Sequence, residues 1–321
     1  MLARFLLLMG IVMTQPATAF ASLWQHADLG TFTGVDGVTL HYAHLTPESP
    51  KGAVVIASGR TEGYLKYETL VRDLLQAGLE VYIWDHRGQG FSDRLTDNPF
   101  LGHVQRFDDY VEDMHTFLTE VVLPTKPGKL YLVGHSMGGA VGTLYMLRHP
   151  ETFNAAVFFA PMYGIRLPGP RWALEPVIAA LAWWNRTRGT PGYIPGGTDY
   201  QPVPFEDNEM TQDADRYQVL LDLHQQVPQL QLGSPSNHWL LESLQAMDRI
   251  LEQVDRLRTP TMVMQAGADT VVDNLVMTKA VASSPALKML TLPDARHELV
   301  AEIPAIRDQV MDALTQWLDQ H

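Results

Sequence analysis

The sequence predicts an α/β fold: a mostly parallel central sheet with helices on both faces and a helical insertion. Short β-rich apolar runs alternate with segments whose apolar residues recur at three- and four-residue spacing, an order typical of parallel sheets. The chain has 321 residues, of which 46% are apolar and 18% charged, so it can bury a sizeable core. Disordered and fibrous proteins are therefore excluded.

Seven strands are predicted, each from a run rich in β-branched, aromatic or other apolar residues. In chain order they span residues 38–43, 53–58, 81–84, 130–134, 155–160, 261–266 and 288–292. Helical spacing predicts helices between most of them, including 67–76, 108–121, 137–149 and 303–318.

Residues 164–245 break this alternation and are predicted to form a helical lid insertion. The segment contains four of the seven tryptophans, many prolines and a helix-like piece from Trp172 to Trp184. Binding regions of open α/β sheets lie beyond the carboxyl ends of the strands, so we expect the insertion to cover that edge. The core is thereby divided into residues 22–163 and 246–321. The alternative is an ordinary second packing layer.

The first 21 residues have the pattern of a secretory signal peptide. Arg4 precedes an apolar run over residues 5–13, and a small-x-small cleavage site ends at Ala21. The run is too short to span a membrane, which requires about 20 apolar residues. We therefore expect export, in a bacterium to the periplasm or cell envelope, either free or membrane-associated. The alternative is an uncleaved membrane anchor.

Charge and cysteine content exclude several classes of function. Lys and Arg total 23 against 36 Asp and Glu, and the net charge of −13 repels nucleic acid and an anionic membrane surface. The chain has no cysteine, which excludes disulfides, a thiolate nucleophile and cysteine-bound zinc. We expect no nucleic-acid partner and no obligate protein partner.

Metal and nucleotide motifs are also lacking in the sequence. The histidines show neither H-x-x-x-H nor H-E-x-x-H spacing, and there is no Walker-type lysine motif. The run 85–90 lacks the third glycine of a nucleotide-binding loop and is predicted to be a structural turn. We predict no metal and no cofactor.

A G-x-S-x-G motif surrounds Ser136. It follows the apolar run 130–133 and opens the predicted helix 137–149, which is the context of a nucleophile elbow. Glycines flank the serine because the sharp turn requires unusual backbone angles and leaves no room for side chains. We predict Ser136 as a catalytic nucleophile, the alternative being an inert serine in a glycine-rich turn.

A serine nucleophile needs a histidine base and an orienting carboxylate, in the chain order serine, acid, histidine. Asp269 and His297 each follow closely on a predicted strand, at the same carboxyl edge as Ser136. We predict Asp269 as the acid and His297 as the base. Asp273 and Asp294 are alternatives for the acid.

A tetrahedral intermediate also needs two backbone N–H donors. Met137 follows the nucleophile at a helix N-terminus and supplies one of them. The other is expected in the loop 58–63 after an early strand, where we choose Arg60. A surface position is compatible with the Arg60 side chain, because this role uses only the backbone.

Longer motifs are distributed along the chain after the first 21 residues, and the resemblance that they carry covers nearly all of it. They are G-R-T-E-G-Y-L-K-Y at 59–67, D-H-R-G-Q-G at 85–90, L-G-H-V at 101–104, H-S-M-G-G at 135–139, A-P-M-Y-G at 160–164 and H-W at 238–239. With them the chain resembles the α/β-hydrolase superfamily and, within it, the monoacylglycerol-lipase-like and serine-aminopeptidase-like group that includes lysophospholipases of the L-two type. The resemblance implies that the insertion is a lid and that the five residues chosen above form the catalytic machinery.

These expectations define an exported serine carboxylester hydrolase that removes the acyl chain of a lysophospholipid through an acyl-enzyme on Ser136. One alternative is a monoacylglycerol lipase or general carboxylesterase with the same machinery. Others are a peptidase of the proline-iminopeptidase kind, for which the insertion offers acidic residues, and a non-catalytic lipid-binding protein. The expected partner is a small amphipathic lipid.

Four residues are predicted to contact that lipid: Trp172, Arg186, Arg188 and Trp239. The early insertion combines a tryptophan-bearing apolar segment with arginines, so an acyl chain can pack on it while guanidinium groups meet a phosphate. The same segment is the expected site of peripheral membrane contact. In the alternative, the tryptophans are lid core and the arginines pair with lid acids.

Overall fold

The computed structural model describes residues 21–321, so the predicted signal peptide lies, except for Ala21, outside the described residues. The strands in chain order are β1 (Asp28–Thr33), β2 (Thr39–Leu45), β3 (Gly52–Ala57), β4 (Leu79–Trp84), β5 (Leu130–His135), β6 (Ala155–Phe159), β7 (Thr261–Ala266) and β8 (Leu287–Leu292). The α-helices are α1 (Ala21–Trp24), α2 (Glu68–Gln76), α3 (Phe107–Phe117), α4 (Met137–Arg148), α5 (Arg171–Thr187), α6 (Ala214–Gln226), α7 (Asn237–Gln253), α8 (Asn274–Ser283) and α9 (Pro304–Gln320).

The eight strands of the described residues form one sheet in the order β1-β2-β4-β3-β5-β6-β7-β8. β1 and β2 pair antiparallel with each other, and β2 pairs antiparallel with β4. Every other neighbouring pair is parallel. This architecture confirms the predicted α/β fold with a mostly parallel sheet.

The seven predicted strands are present, with ends that differ by up to two residues. β1 was not among them, because only Phe32 of its six residues is buried and the apolar signal of an edge strand is therefore weak. The predicted helix 108–121 corresponds to α3 followed by a π-helical turn over Leu118–Val122.

The core lies on both faces of the sheet. β3 is buried at every position, as expected for a central parallel strand. Its side chains alternate: Val55 packs with helices α3, α4 and α7, whereas Val54 and Ile56 pack with α2 and α9. Each such buried side chain contributes roughly 2 kcal/mol of hydrophobic stabilisation. Packing of helices on both faces therefore holds the sheet, and with it the strand ends, in place.

The predicted insertion carries α5, α6 and most of α7 between β6 and β7. The predicted boundary at 245 falls inside α7, which continues to Gln253. Met247 and Ile250 extend the buried face of α7 into the core, so this helix joins the insertion to the sheet. Within residues 21–321, no helix is long and apolar enough to cross a membrane.

Candidate active site

Ser136 lies in a sharp turn between β5 and α4. Its backbone has φ 49° and ψ −113°, a conformation that residues with a side chain rarely adopt. Hydrogen bonds hold the turn from both sides: Ser136 N–H donates to Phe159 O at 3.0 Å, and Met162 N–H donates to Ser136 O at 2.9 Å. The strained turn presents the serine at the carboxyl edge of the sheet, as a nucleophile elbow requires.

The glycines of the motif are required by close backbone contacts. A Cβ on Gly138 would collide with the carbonyl oxygens of Ala57 and Ser58 at the end of β3. A Cβ on Gly134 would lie 2.9 Å from the Phe158 ring. Helix α4 can therefore begin directly against the neighbouring strands only because these positions lack side chains.

His297 and Asp269 are in direct contact at the same edge. His297 Nδ1 lies 2.7 Å from Asp269 Oδ2, and both side chains are buried. The other carboxylate oxygen accepts the N–H groups of Val271 at 2.7 Å and Val272 at 3.1 Å. Burial alone would raise the pKa of Asp269, but the hydrogen bond and charge of His297 and the two N–H donors bring it below its usual value. The carboxylate is thus ionised and can hold the imidazole orientation.

The two alternative acids have other surroundings. Asp273 caps the N-terminus of α8, where its Oδ1 accepts the N–H groups of Leu275 and Val276. Asp294 is exposed. Of the three candidates, Asp269 is the one whose carboxylate contacts the ring of His297.

The two predicted oxyanion donors are on backbone segments that adjoin where α4 begins, since a Cβ on Gly138 would lie 2.6 Å from Ser58 O. Met137 is the first residue of α4, so its N–H has no acceptor within the helix. The loop 58–63 follows β3, and within it Gly59 N–H donates to Glu62. From outside the loop, the Gln89 amide donates to Gly59 O and Glu62 O, both at 2.7 Å. The predicted structural turn at 85–90 therefore supports the loop 58–63 through Gln89.

A buried cluster of charged residues underlies this loop and went unnoticed in the sequence. Lys66 Nζ lies 2.5 Å from both Glu62 and Glu298, and Glu62 also lies 2.9 Å from His135 Nδ1. His135 Nε2 in turn lies 3.3 Å from the backbone oxygen of His297. The cluster therefore joins the predicted oxyanion loop to the backbone of the predicted base, His297. A sequence signal did exist, because Glu62, Lys66 and His135 all fall within the resemblance motifs.

The positive and negative groups of the cluster stabilise one another's charged forms. Burial would lower the pKa of His135, but the anions Glu62 and Glu298 raise it above its usual value. Burial would likewise raise the pKa of Glu62, and Lys66 and His135 hold it well below its usual range. Ligand atoms of Glu62, His135 and Glu298 lie within 4.8 Å of one another, a spacing that could suit a metal ion. The Lys66 ammonium already bridges the two carboxylates, so the cluster fits an internal ion-pair network better.

The residues predicted to contact substrate lie in different surroundings. Trp239 is buried, and its Nε1 donates to Tyr110 Oη at 3.1 Å. Trp172 is 80% exposed on α5. Arg186 lines a small cavity of about 160 Å³, and Arg188 lies 5.5 Å from the Trp184 ring. The structure therefore does not bring these four residues together.

The Arg60 side chain does not project from the surface of its loop. It is partly buried, and its guanidinium lies 5.3 Å from the centre of the Trp239 ring. The alternative in which the Arg60 side chain lies on the surface is therefore wrong. The reason is that α7 of the insertion packs over the loop and encloses the side chain.

An elbow serine, a histidine–carboxylate pair and a loop with backbone donors define a serine hydrolase with an α/β-hydrolase fold. The family described as Hydrolase_4, serine aminopeptidase S33, matches residues 48–304. The chain belongs to this family.

Known proteins agree with this assignment. The chain is 35% identical over 313 residues to lysophospholipase L2 of Escherichia coli (strain K12), covering 95% of this chain and 91% of the relative. It is 24% identical over 300 residues to the monoglyceride lipase of Rattus norvegicus, with 91% of each chain covered. A carboxyl esterase structure from Bacillus coagulans superposes with a TM-score of 0.72 at 19% identity, covering 92% of this chain and 98% of that one.

Ser136→Ala and His297→Ala are each expected to lower kcat on p-nitrophenyl butyrate by roughly four orders of magnitude or more, because the members of a triad act as a unit. Initial rates of purified variants with matched thermal stability measure this. A fluorophosphonate probe should label the wild type and not Ser136→Ala. Retention of more than about a tenth of wild-type kcat by Ser136→Ala would show that another residue is the nucleophile.

Asp269→Asn and Asp273→Asn form a matched pair of substitutions four residues apart. We expect Asp269→Asn to lower kcat by about three to four orders of magnitude, because an amide can fix the wrong imidazole tautomer and cannot stabilise the imidazolium. Asp273→Asn should change kcat by less than about threefold, since Asn is also a good N-cap. The reversed pattern would identify Asp273 as the orienting acid.

Proposed function

We propose that this serine hydrolase is a lysophospholipase, which removes the single acyl chain of a lysophospholipid. The observation that carries the proposal is the 35% identity over 95% of the chain to a relative named lysophospholipase L2. The contact between His297 and Asp269 and the strained turn at Ser136 supply the chemistry that such a reaction needs.

In the proposed reaction, Ser136 Oγ attacks the acyl carbonyl carbon while His297 Nε2 accepts the hydroxyl proton. Negative charge on the former carbonyl oxygen is stabilised by the N–H groups of Met137 and Arg60. The intermediate collapses when the glycerol oxygen leaves with the proton from His297, and an acyl-enzyme remains. In the second half, His297 accepts a proton from water while the water oxygen attacks the acyl-enzyme carbonyl carbon. The proton then passes to Ser136 Oγ as the fatty acid is released, and Asp269 stabilises the imidazolium in both halves.

A monoacylglycerol lipase is the second candidate. The 24% identity over 300 residues to a monoglyceride lipase favours it, and the chemistry on Ser136 would be the same. The two candidates differ in the alcohol that leaves, which carries a phosphate in one case and a free hydroxyl in the other.

Comparison of two substrates with the same acyl chain separates these candidates. We expect the wild type to hydrolyse lysophosphatidylcholine with a kcat/KM about tenfold or more above that for the matching monoacylglycerol, because the phosphate offers an additional charge-assisted contact. Titration of released fatty acid measures both rates, with Ser136→Ala as the blank. A preference of similar size for the monoacylglycerol would favour the second candidate.

We further propose that the outer face of α5 contacts a lipid surface. Trp172, Val177, Trp183 and Trp184 are all more than half exposed, and the residues between them on this face are uncharged. Tryptophan favours the boundary between lipid headgroups and acyl chains, where its ring meets both apolar and polar surroundings. An amphiphilic substrate resides in such a surface, so this face would bring the enzyme to it.

Trp183→Ser combined with Trp184→Ser is expected to lower binding to phosphatidylcholine vesicles by about tenfold or more, because two large apolar side chains no longer insert. Cosedimentation measures the bound fraction. Leu275→Ser is the matched control, since Leu275 is an exposed apolar residue on α8, 75% accessible, that should leave binding unchanged. Binding that is unaffected by the double substitution would contradict the proposal.

Export is proposed for the same enzyme from the leader over residues 1–21. Expression of the full chain in a Gram-negative host should yield a mature protein in the periplasmic or envelope fraction that begins at Ser22, as read by N-terminal sequencing. Recovery of the intact chain from the cytosol would argue against export. Recovery of the intact chain in the membrane fraction would favour an uncleaved anchor.

A further inference from the structure

The Arg60 guanidinium lies between the carboxyl edge of the sheet and the insertion. Its backbone belongs to the loop after β3 that carries a predicted oxyanion donor, and its guanidinium extends to the Trp239 ring on α7. A Cβ added to Gly102 would lie 2.8 Å from Arg60 Nη2, so the side chain is also enclosed by the 101–104 segment. The guanidinium thus lies against the insertion, on the same residue whose N–H is a predicted oxyanion donor.

The hydrogen-bonding capacity of this guanidinium is largely unused. Nη2 donates to Gly233 O, whereas the buried Nε–H has no partner among the described residues. No Asp or Glu of residues 21–321 forms an ion pair with it. Burial lowers the pKa of Arg60 to about 10, with only the phenols of Tyr110 and Tyr193 acting in the opposite direction. The group is still a cation at neutral pH, but a poorly compensated one.

Two other arginines of the core show how a structural guanidinium is satisfied in this protein. Arg87 makes a two-pronged ion pair with Asp113, with both N–O distances at 2.6 Å. Arg94 donates to the backbone oxygens of Pro99, Gly90 and Gln229, and thereby ties the core to the insertion. Arg60 also reaches the insertion, but it has one backbone acceptor and no carboxylate. A purely structural role leaves its remaining donors unexplained.

The position of the unused donors suits the proposed substrate. In a lysophospholipid the phosphorus is separated from the acyl oxygen only by the glycerol carbons and one further oxygen. The Arg60 guanidinium is separated from the Arg60 N–H by a side chain of similar length. A substrate whose carbonyl oxygen rests on that N–H can therefore place its phosphate at the guanidinium of the same residue.

We propose that the Arg60 guanidinium binds the phosphate of the lysophospholipid headgroup and so determines the substrate specificity of the enzyme. The inference rests on the proposed lysophospholipase function and names the residue that separates it from a monoacylglycerol lipase. Guanidinium and phosphate form paired charge-assisted hydrogen bonds, which a free glycerol hydroxyl cannot match. One residue would thus contribute its backbone to the oxyanion and its side chain to the leaving group.

Two non-hydrolysable ether lipids with the same alkyl chain test this binding without turnover. One is an alkyl glycerophosphocholine and the other an alkylglycerol, each assayed below its micelle concentration as an inhibitor of p-nitrophenyl butyrate hydrolysis. We expect Arg60→Met to raise Ki for the phosphate-bearing lipid by about 10- to 100-fold, the range for a lost hydrogen bond to a charged group. Ki for the alkylglycerol should change by less than about threefold, and Arg60→Lys should give an intermediate Ki because it retains the charge.

Arg94→Met is the matched control, because Arg94 also ties the core to the insertion through a backbone oxygen. It should leave the ratio of the two Ki values unchanged. Equal increases for both ether lipids in Arg60→Met would overturn the proposal and make Arg60 a structural tether. A second result would also overturn it. If the ratio of the two Ki values changes in the double variant Arg186→Gln, Arg188→Gln and does not change in Arg60→Met, the exposed arginines of the insertion recognise the phosphate.

The test remains decisive if Arg60→Met does not fold. Arg60→Lys would then be the test variant. If its ratio of Ki for the phosphate-bearing lipid to Ki for the alkylglycerol equals that of the wild type, the proposal is rejected. The proposed function itself is judged separately, by whether the wild type hydrolyses lysophosphatidylcholine. A wild type that binds the phosphate-bearing ether lipid more tightly through Arg60 but does not cleave lysophosphatidylcholine would refute the function and leave the phosphate site standing.

Discussion

Helix α4 begins so close to the end of β3 that only a glycine fits between them, and this contact determines the geometry of the whole site. A side chain at Gly138 would collide with the backbone of Ala57 and Ser58. The same contact places the N-terminus of α4, with Met137, beside the loop that follows β3. The strained conformation of Ser136 is tolerated because both strands and the helix are held by the core. Packing of the sheet thus provides the rigidity on which catalysis depends.

The buried cluster around Glu62 links the parts of the site that come from distant segments. Glu62 accepts the N–H of Gly59 in the predicted oxyanion loop, and through Lys66 it is joined to Glu298, the residue after the predicted base His297. Removing one partner from such a cluster leaves an uncompensated charge, which costs about 3–5 kcal/mol. The cluster therefore ties the loop 58–63 to the segment that carries His297.

Sequence reasoning recovered most of the sheet because central strands such as β3 and β5 are continuous apolar runs. It missed β1, where one buried residue gives no clear period. The predicted triad residues could be chosen because each follows closely on a strand, and Asp269 was preferred over Asp273 for that reason. That Asp273 instead caps α8 is visible only in the structure. The environment of Arg60 could not be predicted from the sequence either. It depends on α7, whose Trp239 is almost 180 residues further along the chain and packs over the loop of Arg60.

The insertion separates the elbow from the acid and base along the chain. His135, beside the predicted nucleophile, and His297 are 162 residues apart, yet they meet in the finished site. Contacts between such distant segments are slow to form, because a long loop must close first. A chain emerging from the ribosome therefore carries its serine long before it carries a base. A lipid ester hydrolase is thereby inactive during synthesis, because the predicted acid Asp269 and the predicted base His297 both lie in about the last sixth of the polypeptide.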